Sequence, residues 1–391
     1  MRIGVDACCW ANKRGFGRFT RELLEALLAN DNKNEYLFFV DRETAKDDGI
    51  PDRVKKVVAP TKVSPTEAAS ASGRRSLGDL WAMSRQVMKY DVDLFFFPAV
   101  YSYFPIFRRT KIIVTLHDVI ADHHPELVFP NARLKFFWKL KQNMAIRQAH
   151  LILTVSEYSK QQIMEYFRIP ESRVRVITEA ARPIFTQLPV NEEITKTLNR
   201  YRLKPDQQFL LYVGGISPHK NLKILIDAFK GIISDTRFSD VKLVLIGDYK
   251  DDPFFSAYPS LKKQVEELGI NDKVVFTGFI EDIELTHLYN TASLLVFPSL
   301  EEGFGLPAIE AMSCGTPVVA SNRGSLPEVV GEAGRFFNPT DTQNMTDVIQ
   351  KVLGNDRLRK EMSQSGLMRA QEFRWSKAAK DALAIFDELV V

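Results

Sequence analysis

Two glutamates, Glu302 and Glu310, stand eight residues apart in the stretch 298–312, PSLEEGFGLPAIEAM. The run before them, SLLVF at 293–297, is apolar and of strand length, the pattern of a buried parallel strand. Pro298 ends it. Gly303 and Gly305 allow a loop that approaches a ligand closely. Pro307 suits a first helical turn, where a missing N–H costs nothing. The N–H groups of Phe304, Gly305 and Leu306 are then expected to open a helix and face an anion. Carboxylates beside a phosphate site are poor partners for phosphate and good ones for hydroxyls. A ligand with an anionic middle and hydroxylated ends satisfies both demands. A nucleotide sugar is such a ligand.

In this order and with these neighbours, Glu302 and Glu310 resemble the E-x7-E motif of the retaining family 4 glycosyltransferases. The resemblance continues through GTPVVASN at 315–322 and SLPEVVG at 325–331, and upstream through LYVGG at 211–215 and Lys220-Asn221-Leu222. It is strong from 210 to 339 and looser before that. It implies an α/β chain of the GT-B fold, two doubly wound Rossmann-like domains with an interdomain cleft. Residues 1–190 would form the acceptor-side domain and 191–373 the nucleotide-sugar domain. Residues 374–391 would be a last helix packing back on the first domain.

The resemblance also implies roles. Glu302 would grip the donor-sugar hydroxyls and Glu310 the ribose. Lys220, expected as an exposed cation, would hold the diphosphate together with Phe304, Gly305 and Leu306. The family carries an Arg where this chain has Gly215, after Gly214, so His219 or an N-domain Arg such as Arg18 is a candidate substitute. The turn at Gly278 and Phe279 would hold the base. Gly15 and Gly17 would face the diphosphate, and His117 would lie near the donor sugar. Glu302, His117 and Lys220 are the candidate catalytic residues. Retention without an obvious protein nucleophile suggests same-face attack, with the leaving phosphate taking the acceptor proton.

Several elements must position these groups. Residues 3–7 read as a strand, 8–18 as a loop holding Gly15 and Gly17, and Leu23, Leu24, Leu27 and Leu28 as a helix face. Further strands are expected at 36–40, 94–98, 112–116, 151–155 and 174–178, with Ser156 capping the helix that follows 155. His117 and Asp118 emerge at a strand's carboxyl end, where open α/β sheets place ligands. His123 and His124 read as surface. Residues 61–75, ending in Arg74-Arg75, read as a loop and a candidate acceptor-side lid. Residues 131–149 read as a helix with Leu134, Phe137, Trp138 and Ala145 along one face and basic residues spread around it rather than gathered in one stripe, which favours core packing with a solvated outer face over membrane contact. In the second half, strands are expected at 209–213, 242–246, 274–277 and 293–297.

At 391 residues the chain has room for two cores. Residues 1–190 carry 29 Lys+Arg against 21 Asp+Glu, and the remainder 23 against 28, so the first half is basic and favours an anionic acceptor or a lipid surface. Three cysteines, two of them adjacent, match no disulfide framework or metal spacing and suit a reducing cytosol. The start reads as a strand with no signal-peptide core, and no apolar run reaches the ~18 residues of a membrane span. A cytoplasmic protein is expected, with membrane contact at most peripheral at the inner face. Its partners would be a nucleotide-sugar donor and a glycan or lipid-linked acceptor, with no nucleic acid and no cofactor. No Asp-x-Asp stands where a metal would hold the diphosphate, so metal-independent transfer is expected. The segments around Lys220 and 321–328 look most like bacterial mannosyl- and rhamnosyltransferases of surface polysaccharide assembly, which favours GDP-mannose. The alternatives are a UDP- or dTDP-sugar donor, or a nucleotide-sugar sensor without turnover. A phosphorylase of the same fold needs a pyridoxal lysine, for which no site is evident.

Overall fold

In a computed structural model, residues 1–12, 15–62, 76–129, 131–249 and 256–390 are described. Most of the loop read as a lid, including Arg74 and Arg75, lies outside the described residues.

Short, largely buried runs form the strands β1 (Arg2–Asp6), β2 (Glu35–Val40), β3 (Lys55–Val58), β4 (Leu94–Phe97), β5 (Lys111–Thr115), β6 (Leu151–Thr154) and β7 (Val174–Val176). They continue with β8 (Phe209–Val213), β9 (Lys242–Ile246), β10 (Val274–Gly278), β11 (Leu294–Phe297), β12 (Val318–Ser321) and β13 (Arg335–Phe337). Two sheets result, ordered β3-β2-β1-β4-β5-β6-β7 and β10-β9-β8-β11-β12-β13. The pairings are parallel, for instance Val5 opposite Phe38 and Val296 opposite Val319. Both are doubly wound, as expected. Each strand order reverses once, between β1 and β4 in the first sheet and between β8 and β11 in the second. Loops leaving the carboxyl ends of strands at such a reversal diverge and leave room for a ligand.

The chain divides into two units, Met1–Glu179 with Trp375–Val391, and Ala180–Arg374. Residues 180–190, expected in the first domain, belong to the second unit. Arg182 Nη1 donates to Asp282 at 2.6 Å, Leu188 N to Asn290 Oδ1 at 2.7 Å and Asn290 Nδ2 to Thr186 O at 2.9 Å. In the first unit the core is aromatic. Phe95, Phe96 and Phe97 of β4 are wholly buried, and the Trp375–Val390 helix closes over the sheet with Phe386 at 5.4 Å from Phe96 and Trp375 at 5.9 Å from Phe19. The second core is built from Leu210, Tyr212, Leu225, Phe229, Leu243 and Val296.

Four sequence expectations change. The first glycine segment is not a loop, because the helix Gly15–Asn30 already includes Gly15 and Gly17. The helix can start there because Gly17 has no side chain: a Cβ at that position would lie 2.0 Å from the Asn12 carbonyl oxygen. Strands β3, β12 and β13 had no reading as strands. β3 is an edge strand beginning with two lysines, β12 is only four residues long, and β13 only three. His123 and His124 are half-buried rather than on the surface, His123 lying 6.0 Å from the Tyr166 ring. Phe137 points outward, 51% exposed, because only Gln142, Ala145 and Ile146 of its helix are fully buried. Ser156 does cap the following helix, accepting from Ser159 N at 3.0 Å.

Gly17→Ala should destabilise the first unit by about 1–3 kcal/mol, the usual cost of overpacking against immovable backbone. Denaturant unfolding measures it. A change below about 0.5 kcal/mol, the range of neutral surface substitutions, would show that the contact with Asn12 relaxes freely.

Candidate active site

In the second unit, the strand reversal places the loop after β8 (214–221) beside the loop after β11 (298–305). Three contacts join them. Leu300 N donates to His219 O at 3.0 Å. Asn221 Nδ2 donates to Pro298 O at 3.1 Å and to Pro339 O at 2.7 Å. Lys220 Nζ forms an ion pair with Glu302 Oε1 at 2.7 Å. Asn221 makes its bonds from a left-handed backbone, φ +60°, a conformation Asn tolerates better than most residues.

The ion pair corrects the expectation of an exposed lysine. The side chains of Lys220 and Glu302 are only 17% and 10% exposed. Glu302 Oε1 also accepts from Ser299 Oγ at 2.6 Å, whereas Oε2 has no partner among the described residues. The ammonium has three donors and the Glu302 bond takes one. One carboxylate oxygen and part of an ammonium are thus held rigidly and left for a ligand.

The loop backbone is fixed from below. Ser325 N and Oγ donate to Glu302 O at 3.2 and 3.0 Å, and Ser325 Oγ lies 2.7 Å from Phe304 O. Gly324, at φ +64°, lets that segment approach: a Cβ there would sit 2.6 Å from Glu302 N. The helix Leu306–Ser313 follows with Gly305 as its N-cap, so the N–H groups of Phe304, Gly305 and Leu306 lie at its start, while Pro307 has none and Ala308 N already donates to Gly305 O at 2.9 Å.

Glu310 lies just over one turn into that helix and is 2% exposed. The Tyr289 hydroxyl donates to Glu310 Oε2 at 3.0 Å. Neighbouring Cys314 feels the same carboxylate. Burial first, then the Glu310 charge, pushes its thiol up to about 12.

Other expected residues fall elsewhere. Gly214 and Gly215 turn around the Tyr212 side chain, whose hydroxyl donates to Gly215 O at 2.7 Å. At Gly215 a Cβ would meet no atom nearer than 3.8 Å. The His219 ring stands 3.3 Å from Ser217 Oγ. Gly278 (φ +78°) ends β10, the sheet's edge strand two positions from β8, and exposed Phe279 follows it.

In the first unit, Gly15 and Gly17 open a helix at the reversal point, and His117 follows β5. The His117 ring packs edge-on against Phe19, 4.7 Å between centroids. Although the residue as a whole is half-buried, both ring nitrogens are closed to solvent and lack a partner among the described residues. Burial lowers its pKa to about 4, so at neutral pH the ring is an uncharged imidazole with an unmet donor and an unmet acceptor. Asp118 bends the next turn, its Oδ1 accepting from Ile120 N at 3.0 Å.

Sequence reasoning missed Ser299, Asn221, Gly324, Ser325 and Tyr289. The first four lie inside or beside the quoted motif segments. Tyr289, 21 positions from Glu310 on another helix, carried no local signal. Among the described residues, no group of three or more His, Cys, Asp or Glu is gathered as for a metal, and no helix is long and apolar enough to cross a membrane.

Two doubly wound units, one with a glycine loop and helix start beside a pair of glutamates and a lysine, define a glycosyltransferase of the GT-B class. Two family matches narrow this: glycosyl transferases group 1 over residues 193–368 and glycosyltransferase family 4 over 13–180. The chain belongs to the family 4 glycosyltransferases. It is 34% identical over 281 residues to O-antigen chain mannosyltransferase B of Escherichia coli, covering 71% of this chain and 70% of that protein. It is 33% identical over 284 residues to the serotype-specific mannosyltransferase WbdA of Escherichia coli, covering 72% of this chain but about a third (34%) of WbdA's length. Among solved structures, HepE of Anabaena in complex with UDP and glucose superposes with a TM-score of 0.75 at 19% identity, covering 99% of each chain. Sucrose-phosphate synthase of Thermosynechococcus elongatus gives 0.74 at 20% identity, covering 100% of this chain and 99% of that one.

The buried imidazole predicts a pH dependence of stability. His117 has a folded-state pKa of about 4 against 6.5 unfolded, so between these values only the unfolded chain takes up the proton. Stability is fully present above pH 6.5, falls as pH drops below it, and stops falling below about pH 4. The whole span is worth about 3 kcal/mol. Denaturant unfolding at pH 7 and pH 4.5 should show this loss in the parent chain, and His117→Asn should reduce it by roughly 2–3 kcal/mol. Equal losses in both proteins would mean that the ring titrates normally in the folded state.

Proposed function

We propose that this chain moves a hexosyl group, mannose from GDP-mannose being favoured, from a nucleotide sugar to a glycan or lipid-linked acceptor, with retention and without a metal. The observation that carries the reading is the Lys220–Glu302 pair, with Glu302 Oε2 left unpartnered among the described residues beside the helix start at 304–306. In this reading Glu302 Oε2 accepts from the donor-sugar hydroxyls. Lys220 and the N–H groups of Phe304, Gly305 and Leu306 take the charge that develops on the departing diphosphate. Such preorganised donors are usually the largest single catalytic contribution. Glu310, which accepts from the Tyr289 hydroxyl, takes the ribose. Gly278 and Phe279 take the base through main-chain groups. His117 contacts the donor sugar as a neutral imidazole. The basic first half supports an anionic or lipid-linked acceptor and a peripheral contact with the membrane surface.

Mannose is supported by the mannosyltransferases among the relatives. A UDP-sugar is the second reading, supported by HepE with UDP and glucose on the same fold. A donor panel separates them. The matching donor at 100 times its dissociation constant should add about 2.7 kcal/mol of stability, read as a thermal shift with GDP-mannose and absent with UDP-glucose and dTDP-rhamnose. A shift with UDP-glucose alone would replace the donor, and binding without turnover toward any glycan acceptor would favour a sensor.

The ion pair makes Lys220→Ala a two-part experiment. Alone it strands a buried carboxylate, and breaking such a pair costs about 3–5 kcal/mol. Its turnover should also fall by ~10²–10³, the range for one lost donor to a developing anion. Adding Glu302→Gln removes the stranded charge, so the double variant should regain most of the stability and none of the turnover. If saturating turnover returns together with stability, Lys220 serves only to hold the loop.

A further inference from the structure

The helix Ala132–Gln148 in the first unit has apolar side chains on two opposite sides. Gln142, Ala145 and Ile146, with half-buried Trp138, face the core. Phe136, Phe137, Leu140 and Met144 are 63%, 51%, 45% and 40% exposed. Their spacing gathers them on one outward stripe, opposite the buried side. Arg133 and Arg147 fall within the same stripe at its two ends, and both are exposed. Lys139 and Lys141 lie to either side of it, Lys141 reaching back to Tyr101 O at 3.1 Å, Lys135 falls on the buried side, and the helix carries no Asp or Glu. The exposed rings pack on each other and on a cation: Phe136 and Phe137 lie edge to face at 5.6 Å, and the Arg133 guanidinium stands 5.8 Å from the Phe137 ring centre.

An outward row of four large apolar residues on one helix is more than the scattered single exposures normal for a monomer surface. Charge decides what covers it. A second copy of the chain seated symmetrically on this stripe would bring two all-basic helices together with no acid on either. Rings and aliphatic chains amid Lys and Arg, with no carboxylate on the helix, match a surface of anionic headgroups over acyl chains.

We propose that the outward stripe of Ala132–Gln148 docks on an anionic lipid bilayer. The rings of Phe136 and Phe137, with Leu140 and Met144, enter the boundary between headgroups and acyl chains, and Arg133 and Arg147 meet the phosphates. This gives the peripheral contact named under the proposed function a surface, and it rests on that part of the reading alone.

Co-sedimentation of the full chain with vesicles tests it. The parent chain should pellet with phosphatidylglycerol–phosphatidylethanolamine vesicles and not with phosphatidylcholine alone. Phe136→Ser with Phe137→Ser, and separately Arg133→Glu with Arg147→Glu, should each weaken the partition roughly ten-fold or more. Thermal shift with nucleotide sugar should be unchanged in both variants, because neither pair belongs to the donor site. A parent chain that stays in the supernatant, or variants that pellet like the parent, overturns the proposal. So does a dimer in size-exclusion chromatography that Phe136→Ser dissolves, since a second copy would then be the occupant. Loss of the donor shift in the parent chain would sink the transferase reading and leave lipid docking to stand or fall on the vesicles.

Discussion

The ion pair between Lys220 and Glu302 is the contact on which the candidate site depends. Two largely buried charges come from different loops and neutralise each other at 2.7 Å. Taking either charge out of water alone is costly, and their attraction offsets that cost only when the geometry is fixed and the other polar atoms are bonded. The surroundings meet that condition. Ser299 adds a second bond to the same carboxylate oxygen, and Ser325 holds the Glu302 carbonyl. Asn221 and the His219–Leu300 backbone bond tie the two loops together independently of charge. The pair is therefore held in place by neutral hydrogen bonds and does not itself have to hold the loops.

Sheet order makes these contacts available. The loops after β8 and β11 are about 80 residues apart in sequence, as the Lys220–Glu302 separation of 82 shows, and only the reversal of strand order brings them side by side. The first unit has the same reversal between β1 and β4, with different chemistry around it. There the space near the strand ends is lined by aromatic rings, Phe19 against His117 and Trp375, and the ionisable group is kept neutral by burial. One topology thus presents a charged, cross-braced loop pair in one unit and an uncharged imidazole with unmet hydrogen-bonding groups in the other.

Much of this was legible from residue order, because strand–glycine turn–helix is a local pattern. Glu302, Glu310, the helix start after Gly305 and the apolar run of β11 follow from neighbours within a dozen positions. Most parallel strands were legible from their apolar runs; β3, β12 and β13 were not, although β4, β6 and β11 are no longer than β12 and β7 is as short as β13. Long-range pairing was invisible. Nothing in Lys220-Asn221-Leu222 says that the lysine meets Glu302 or that the asparagine spans to Pro298 and Pro339. Tyr289 was hidden for the same reason. Gly17 was misread because a glycine near a strand end suits a turn and a tight helix–backbone contact equally well. Only the 2.0 Å approach to Asn12 distinguishes them.

The pairing also changes how an anion would be held. A lysine alone carries a full positive charge toward a phosphate, but this one is already balanced by Glu302, so the two together present a dipole more than a charge. The helix start at 304–306 has no such counter-ion in the bonds that fix it, since Ser325 engages the carbonyls of Glu302 and Phe304 and leaves the N–H side alone. In the proposed reaction the backbone therefore supplies the uncompensated positive potential, of the kind helix N-termini offer to phosphates. Lys220 then has two tasks, lending donors to the diphosphate and aiming Glu302 Oε2 at the sugar. Fixed backbone dipoles are effective only where the loop cannot relax. The bracing by Ser325, Asn221 and Gly324 supplies that rigidity.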